Sequence, residues 1–375
     1  MATGTGKTRT AIRIIQELYD RREVDQVLVI TYGNDLLDQW YRELLMRCTE
    51  ALLFRWYGEH NEFSRFMLTE GAQKILLVSR DGERIRSVLR RMRRQGERTL
   101  LIFDEVHGAG SAAFRETAGP ELQNFRFRLG LSATPIREFD EAGTEFLERE
   151  IGPVIFRFGL ADAIRKGILC SFRYVPLYYE LTAEERKKKQ AVISAYEKKR
   201  KDGTFFQEEE LYRELARVNK LAVNKIPLFE EYIERAPGIL NRCIIFVETR
   251  EYGLALQRML VSHIYNFHTY YGNDDRVNLM KFAKGQIQCL ITCRKISEGI
   301  DIRSVENIVL FSSDRSRLVT TQRIGRSLRK DPSGGKKEAA IVDFICLSGT
   351  GNREDVTADQ EREAWLTELS KVREE

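Results

Sequence analysis

The chain has 375 residues, with 61 Lys and Arg against 56 Asp and Glu and a formal net charge of +5. That length accommodates two domains with full cores, no apolar run approaches the ~20 residues of a membrane span, and no basic–apolar–small leader opens the chain. A cytoplasmic protein with no membrane partner is expected. The six cysteines (Cys48, Cys170, Cys243, Cys289, Cys293 and Cys346) are scattered, which argues for reduced thiols rather than a disulfide framework or a zinc set.

The first signal in chain order is Ala2-Thr3-Gly4-Thr5-Gly6-Lys7-Thr8. It has the pattern of a phosphate-binding loop. Gly4 and Gly6 let the backbone N–H groups around Thr5 turn inward, Lys7 reaches the β/γ-phosphates, and the Thr8 hydroxyl ligates Mg²⁺. A helix over 9–19 then points the positive end of its dipole at the same anion. ATP and Mg²⁺ are the expected ligands. Such a loop hangs from a buried strand, which Met1 alone cannot supply, so a further strand is expected upstream.

Apolar runs at 27–31, 75–79, 100–103 and 127–131 alternate with helical patterns at 34–45 and 83–94. Alternation of this kind predicts a parallel sheet covered on both faces. The third run ends in Asp104-Glu105-Val106-His107. A carboxylate at the C-terminal end of such a strand holds Mg²⁺, here Asp104, while Glu105 is left to orient the attacking water. In the helix after Ser79, Ile85, Val88, Leu89 and Met92 form an inward stripe. Its arginines (Arg84, Arg86, Arg90, Arg91, Arg93 and Arg94) then face outward, where they either neutralise phosphates or form a soluble surface.

The expected organisation is a first ATP-binding domain over 1–158, a linker and start of the second lobe over 159–180, a charged helical insertion over 181–236, a second domain over 237–347, and a polar tail over 348–375. The insertion carries Glu184-Glu185-Arg186-Lys187-Lys188-Lys189, with apolar residues at roughly helical spacing. The second domain repeats the alternation, with strands at 244–247, 265–270, 289–292, 307–311 and 340–344 and helices at 251–261, 274–282 and 320–328. The tail reads as one helix near 361–371 that docks on a partner or belongs to a longer protein.

These motifs resemble, in order, those of superfamily 2 helicases and translocases. The loop looks like motif I, Asp104-Glu105-Val106-His107 like motif II in its DExH form, and Ser132-Ala133-Thr134 like motif III. Cys243-Ile244-Ile245-Phe246-Val247-Glu248-Thr249 is similar to motif IV, Ser297-Glu298-Gly299-Ile300-Asp301-Ile302 to motif V, and Gln322-Arg323-Ile324-Gly325-Arg326-Ser327-Leu328-Arg329 to motif VI. The forms of motifs V and VI look more like the DNA-directed branch, which includes restriction-enzyme motors and excision-repair helicases.

The resemblance implies an α/β fold of two RecA-like lobes, each a mainly parallel sheet flanked by helices. It implies an ATP-dependent DNA helicase or translocase, part of a larger restriction, repair or phage-defence protein. Glu105, Asp104, Gln322, Arg326 and Arg329 would be catalytic, with Gly4, Thr5, Gly6, Lys7, Thr8, Gly299 and Asp301 binding ATP and Thr8 and Asp104 binding Mg²⁺. His107, Ser132 and Thr134 would couple the parts, and Tyr32, Asn34, Ser79, Arg80, Thr249 and Thr292 would touch nucleic acid. Gln322, Arg326 and Arg329 are four and seven apart, the spacing of one helix face. The partners would be nucleic acid, DNA rather than RNA, and a nuclease or specificity domain or subunit.

One departure stands out. Asn34 occupies a position where the family commonly carries Arg, and an amide bonds a phosphate without neutralising it. The family's adenine-reading segment lies upstream of motif I, so no adenine contact is expected from residues 1–375. An RNA-directed DExH helicase and a truncated nucleotide-binding interaction module are the alternative readings.

Overall fold

The computed structural model describes residues 1–134, 140–203, 208–271, 274, 277–293, 305–313, 316–330, 338–347 and 357–374, with only the backbone of 208, 209 and 326. The chain divides into two compact units, one comprising Met1–Gly159 and the other beginning at Leu160.

The first unit runs α1 (Lys7–Asp20), β1 (Gln26–Thr31), α2 (Asn34–Arg47), β2 (Leu52–Trp56), α3 (Phe63–Leu68), β3 (Lys74–Ser79) and α4 (Gly82–Met92). A 3₁₀ turn (Arg93–Arg98) leads to β4 (Thr99–Asp104), followed by a second 3₁₀ turn (Val106–Gly110), α5 (Ala112–Thr117), α6 (Gly119–Leu122), β5 (Phe127–Leu131) and α7 (Glu141–Glu150). The five strands lie in the order β2-β3-β1-β4-β5, and every pairing is parallel.

Central parallel strands are covered on both faces, which is why Val27, Leu28, Val29 and Ile30 are all fully buried. Successive side chains alternate between faces. Val27 and Val29 pack with Ile12 and Ile15 of α1 and Trp40 and Leu44 of α2. Leu28 and Ile30 pack with the α4 stripe of Ile85, Val88, Leu89 and Met92. Each such side chain contributes about 1.5–3 kcal/mol by burial, so a one-residue slip of β1 would exchange both sets. β5 is an edge strand, and Phe127–Gly130 are only half-buried.

The second unit contains α8 (Leu160–Arg165), β6 (Phe172–Tyr179), α9 (Ala183–Lys201), α10 (Glu208–Lys220), α11 (Lys225–Arg235), β7 (Cys243–Phe246), α12 (Arg250–Leu260) and β8 (Phe267–Tyr270). It continues with α13 (Val277–Ala283), β9 (Cys289–Thr292), β10 (Asn307–Leu310), α14 (Arg317–Ser327), β11 (Ala339–Cys346) and α15 (Ala358–Ser370). Its sheet has the order β6-β11-β10-β7-β9-β8, again all parallel. Two parallel sheets flanked by helices are the architecture expected of paired RecA-like lobes.

Two strands depart from the sequence reading. β6 falls in the span expected as linker and start of the second lobe, where no strand is assigned from the sequence, and it is a full edge strand paired along β11. Its half-exposed pattern and Pro176 suit an edge, and they hide it from a search for continuous apolar runs. β2 is hidden for the same reason, being a half-buried edge strand. In the charged segment, α9 opens with a capping box between Thr182 and Glu185, while α11 buries Phe229 and Ile233 in the core.

The helix of the tail, α15, packs on β6 and β11 of its own unit. Arg362 Nε and Nη2 donate to Asp343 at 2.7 and 3.2 Å, and Nη2 also donates to Asp359 Oδ1 at 3.0 Å. Asp343 is fully buried, so this ion pair offsets a desolvation cost that would otherwise expel the charge.

Candidate nucleotide-binding site

The first unit gathers its polar motif residues at the C-terminal ends of parallel strands, where α/β folds place ligands. Gly4 and Gly6 adopt positive φ of 85° and 94°, a backbone region that glycine enters without steric cost. Gly6 is the N-cap of α1 and supplies no side-chain acceptor. The first-turn N–H groups therefore face an anion-binding position without competition from a cap.

Lys7 Nζ lies 3.6 Å from Glu105 Oε1, so the loop lysine and the DExH glutamate, 98 positions apart in the sequence, meet at one point. Glu105 Oε2 lies 3.5 Å from His107 Nδ1, which is 3.4 Å from Ser132 Oγ. The Ser132 hydroxyl donates to the Thr134 carbonyl at 2.8 Å and accepts from the Thr134 N–H at 3.1 Å. Because that hydroxyl proton is already committed, the His107–Ser132 contact is a hydrogen bond when Nδ1 carries the proton. Thr134 Oγ1 is buried with no hydrogen-bond partner among the described residues.

Asp104 ends β4 and is buried. Its Oδ2 accepts from Trp40 Nε1–H at 2.7 Å and its Oδ1 from the Glu105 N–H at 2.9 Å. Burial pushes this carboxyl above the usual range and the Glu105 charge adds to the effect, against the opposing pull of Lys7 and the two hydrogen bonds. A cation beside it would hold it ionised. Mg²⁺ fits: the Thr8 hydroxyl and the Asp104 carboxylate are hard oxygen donors, and Mg²⁺ bound with phosphates needs only one or two protein ligands. No cluster of three or more acidic, His or Cys ligands occurs among the described residues.

Glu105 itself has a positive φ of 49°, a costly conformation for a residue with a Cβ. Its carbonyl accepts from the Gly108 N–H at 3.1 Å and from Arg80 Nη1 at 3.2 Å. Arg80, expected on nucleic acid, thus reaches the turn that carries Glu105. Gly108 makes room for it, since a Cβ there would lie 2.1 Å from the guanidinium. Neither the Trp40 bond nor this use of Arg80 has a sequence signal, because Trp40 sits in step with Leu37 and Leu44 on the buried face of α2.

The parallel pairing Thr31↔Ser79 brings the ends of β1 and β3 together. Tyr32 and Asn34 are exposed there, whereas Ser79 is buried. In the second unit, Phe246↔Thr292 aligns β7 with β9. Thr249 caps α12 by accepting from the Tyr252 N–H, and the buried Thr292 hydroxyl contacts the carbonyls of Tyr270 and Cys293 at 2.7 and 2.8 Å.

Gln322 is buried within α14. The helix ends at Ser327, and Arg329 instead pairs through its backbone with Leu169 in an antiparallel bridge. The one-face helical spacing therefore does not extend to Arg329, whose pKa is lowered by burial. Gly299, Asp301 and the Arg326 side chain lie outside the described residues. Arg323, part of the motif VI string but without an assigned role, is almost fully buried, donates to the Ser312 carbonyl and lies 4.7 Å over the Phe246 ring.

Residues 1–137 match the family model described as type III restriction enzyme, res subunit, and residues 224–331 match the helicase conserved C-terminal domain. IRC3 of Saccharomyces cerevisiae, provisionally named an ATP-dependent helicase, is 23% identical over 94% of this chain and 48% of its own length. A type I restriction enzyme EcoAI endonuclease subunit of Escherichia coli is 23% identical over 92% of this chain and 43% of its own. The chain spans about half the length of the curated relatives it matches.

Among solved structures, the DNA-bound type ISP restriction-modification enzyme LlaBIII shares the fold with a TM-score of 0.63 at 17% identity, covering 100% of this chain and 28% of that one. The Pyrococcus furiosus Hef helicase domain gives 0.54 at 15% identity, covering 98% and 94%. Fold and site together define a two-lobed, phosphate-loop protein. The chain carries a superfamily 2 helicase core. Among the described residues no helix is long and apolar enough to cross a membrane.

Proposed function

We propose that the chain is the motor part of an ATP-dependent DNA helicase or translocase within a larger restriction, repair or defence protein. The observation that carries this reading is the meeting of Lys7, Glu105, His107 and Ser132 within 3.6 Å steps. Lys7 and the loop N–H groups hold the triphosphate. Mg²⁺, bound by Thr8 and Asp104, would neutralise phosphate charge. Glu105 orients the attacking water, its backbone held by Arg80.

His107, Ser132 and Thr134 form a relay from Glu105 to the motif III segment. Gln322, Arg326 and Arg329 act on the phosphoryl group during transfer, where an arginine contributes on the order of 10³-fold or more, and Gly299 and Asp301 complete the nucleotide contacts. Tyr32, Asn34, Thr249 and Thr292 belong to segments that track the strand.

DNA is favoured over RNA by the similarity to restriction-enzyme subunits, which also points to a nuclease or specificity partner. ATP hydrolysis measured with DNA, with RNA and with neither tests the reading. Stimulation by DNA supports it, stimulation by RNA alone transfers the motor to an RNA track, and no stimulation by either contradicts it.

A further inference from the structure

The outer face of α4 lacks the ion pairs that several other exposed helices carry. On α1, Arg13 and Arg21 pair with Glu17; on α2, Arg47 pairs with Glu43; on α11, Arg235 pairs with Glu231. Such i,i+4 pairs are the ordinary way a surface helix carries charge. On α4 and the following 3₁₀ turn, Arg86, Arg90, Arg93 and Arg94 are exposed and form no ion pair among the described residues. Arg91 is also exposed, its guanidinium 4.7 Å from the Phe63 ring centroid. Within 81–98 the carboxylates are Asp81 and Glu83 at the start of the helix and Glu97 after it.

We propose that this arginine face docks the phosphate backbone of a nucleic-acid duplex, through residues other than those of the phosphate loop and the strand ends. The proposal rests on the nucleic-acid motor reading above. Unpaired like charges repel one another and cost stability unless a counter-charge arrives. Four guanidiniums offer forked donors that match phosphate oxygens and never lose their charge.

The face is also rigid. Ile85, Val88, Leu89 and Met92 are all 0% exposed, so the helix cannot turn about its axis, and Arg86 to Arg93 span roughly 10 Å at 1.5 Å per residue. Single strands are held by stacking bases on aromatic side chains as well as by charge. No aromatic residue lies within 82–98. A duplex, with its bases inside and its phosphates outside, matches a straight ridge of this composition.

The test compares the wild-type chain with the combined variant Arg86→Gln, Arg90→Gln, Arg93→Gln and Arg94→Gln. Binding of a ~30-base-pair DNA duplex and of the matching single strand is followed by anisotropy between about 50 and 200 mM salt. A control variant neutralises the ion-paired Arg13, Arg21 and Arg47, and thermal unfolding confirms that each variant is folded.

If four phosphate contacts are lost at ~0.9 each, the slope of log K against log salt for duplex falls by about 3–4. Single-strand slope and ATPase without nucleic acid stay unchanged, and the control leaves the duplex slope near wild type. An unchanged duplex slope overturns the proposal, as does an equal fall for the single strand. Lost binding of a poly-glutamate peptide with duplex binding intact would reassign the face to an acidic protein partner. Wild-type protein that binds neither duplex nor single strand overturns the motor reading itself, a result distinct from an unchanged slope in the variant.

Discussion

Replacing Trp40 with Phe removes one defined interaction, the 2.7 Å hydrogen bond from the indole N–H to Asp104 Oδ2. Both residues are buried, Trp40 at 0% and Asp104 at 4% exposure, so no water replaces the lost donor. A hydrogen bond to a charged group contributes about 1.5–3 kcal/mol, and the smaller ring leaves a void that adds to the loss. The expected cost is on the order of 3 kcal/mol, or roughly 5–12 °C in Tm for a unit of this size. Urea unfolding followed by far-UV circular dichroism measures it.

The same bond bears on titration, because Trp40 holds the Asp104 carboxyl down against a rise caused first by burial and then by Glu105. A carboxyl raised in the folded state keeps its proton over the window between the unfolded value of ~3.9 and the folded one. The folded protein binds more protons there, so stability falls as pH rises through that window. Asp104→Asn removes this fall. In that background Trp40→Phe loses only a neutral hydrogen bond and costs about 1 kcal/mol less. In the Asp104 protein, Trp40→Phe moves the acidic limb of the kcat/KM profile to higher pH. A cost below about 0.5 kcal/mol, with the acidic limb unmoved, would refute the reasoning.

Arg362→Met leaves the fully buried Asp343 without its cation, still accepting from Tyr174, Ser313 and the Phe344 N–H, and should destabilise the second unit by about 3 kcal/mol. Adding Asp343→Leu should restore only part of it, because the Tyr174 hydroxyl then loses its acceptor, as chemical unfolding of both variants will show. Arg326→Ala and Arg329→Ala should each lower nucleic-acid-stimulated ATPase by about 10³-fold with nucleotide-free strand affinity little changed; loss of thermal stability with normal turnover would mark them as structural.

The central strands were legible in the sequence because parallel strands covered on both faces require continuous apolar runs. Positions 27–31 and 100–103 differ from β1 and β4 by no more than a residue at either end. The α4 stripe was legible because one face of that helix is apolar at helical spacing and fully buried. β2 and β6 were not: Arg55 interrupts the first and Arg173 and Pro176 the second, and both are half-exposed, whereas the edge strand β5 was legible at 127–131.

At the site, the motif residues announced their chemistry by type and order. Their supports did not: Trp40 reads as an ordinary core residue, and Arg80 reads as a surface cation rather than the donor to Glu105. Arg323 is masked by its neighbours, because a buried guanidinium paired with a carbonyl and an aromatic face leaves no periodic signature. Arg329 follows the helix end, which spacing alone does not locate.

The most direct test of the account is ATP hydrolysis by the wild type and Glu105→Gln, with Mg²⁺, with and without DNA, alongside ATP binding. Wild-type turnover should need Mg²⁺ and rise with DNA. Glu105→Gln should bind ATP nearly as well and hydrolyse it at no more than a small fraction of the wild-type rate, because the amide spares the phosphate loop but cannot orient and activate water. Turnover near wild type in Glu105→Gln, or wild-type turnover indifferent to DNA and RNA alike, would contradict it.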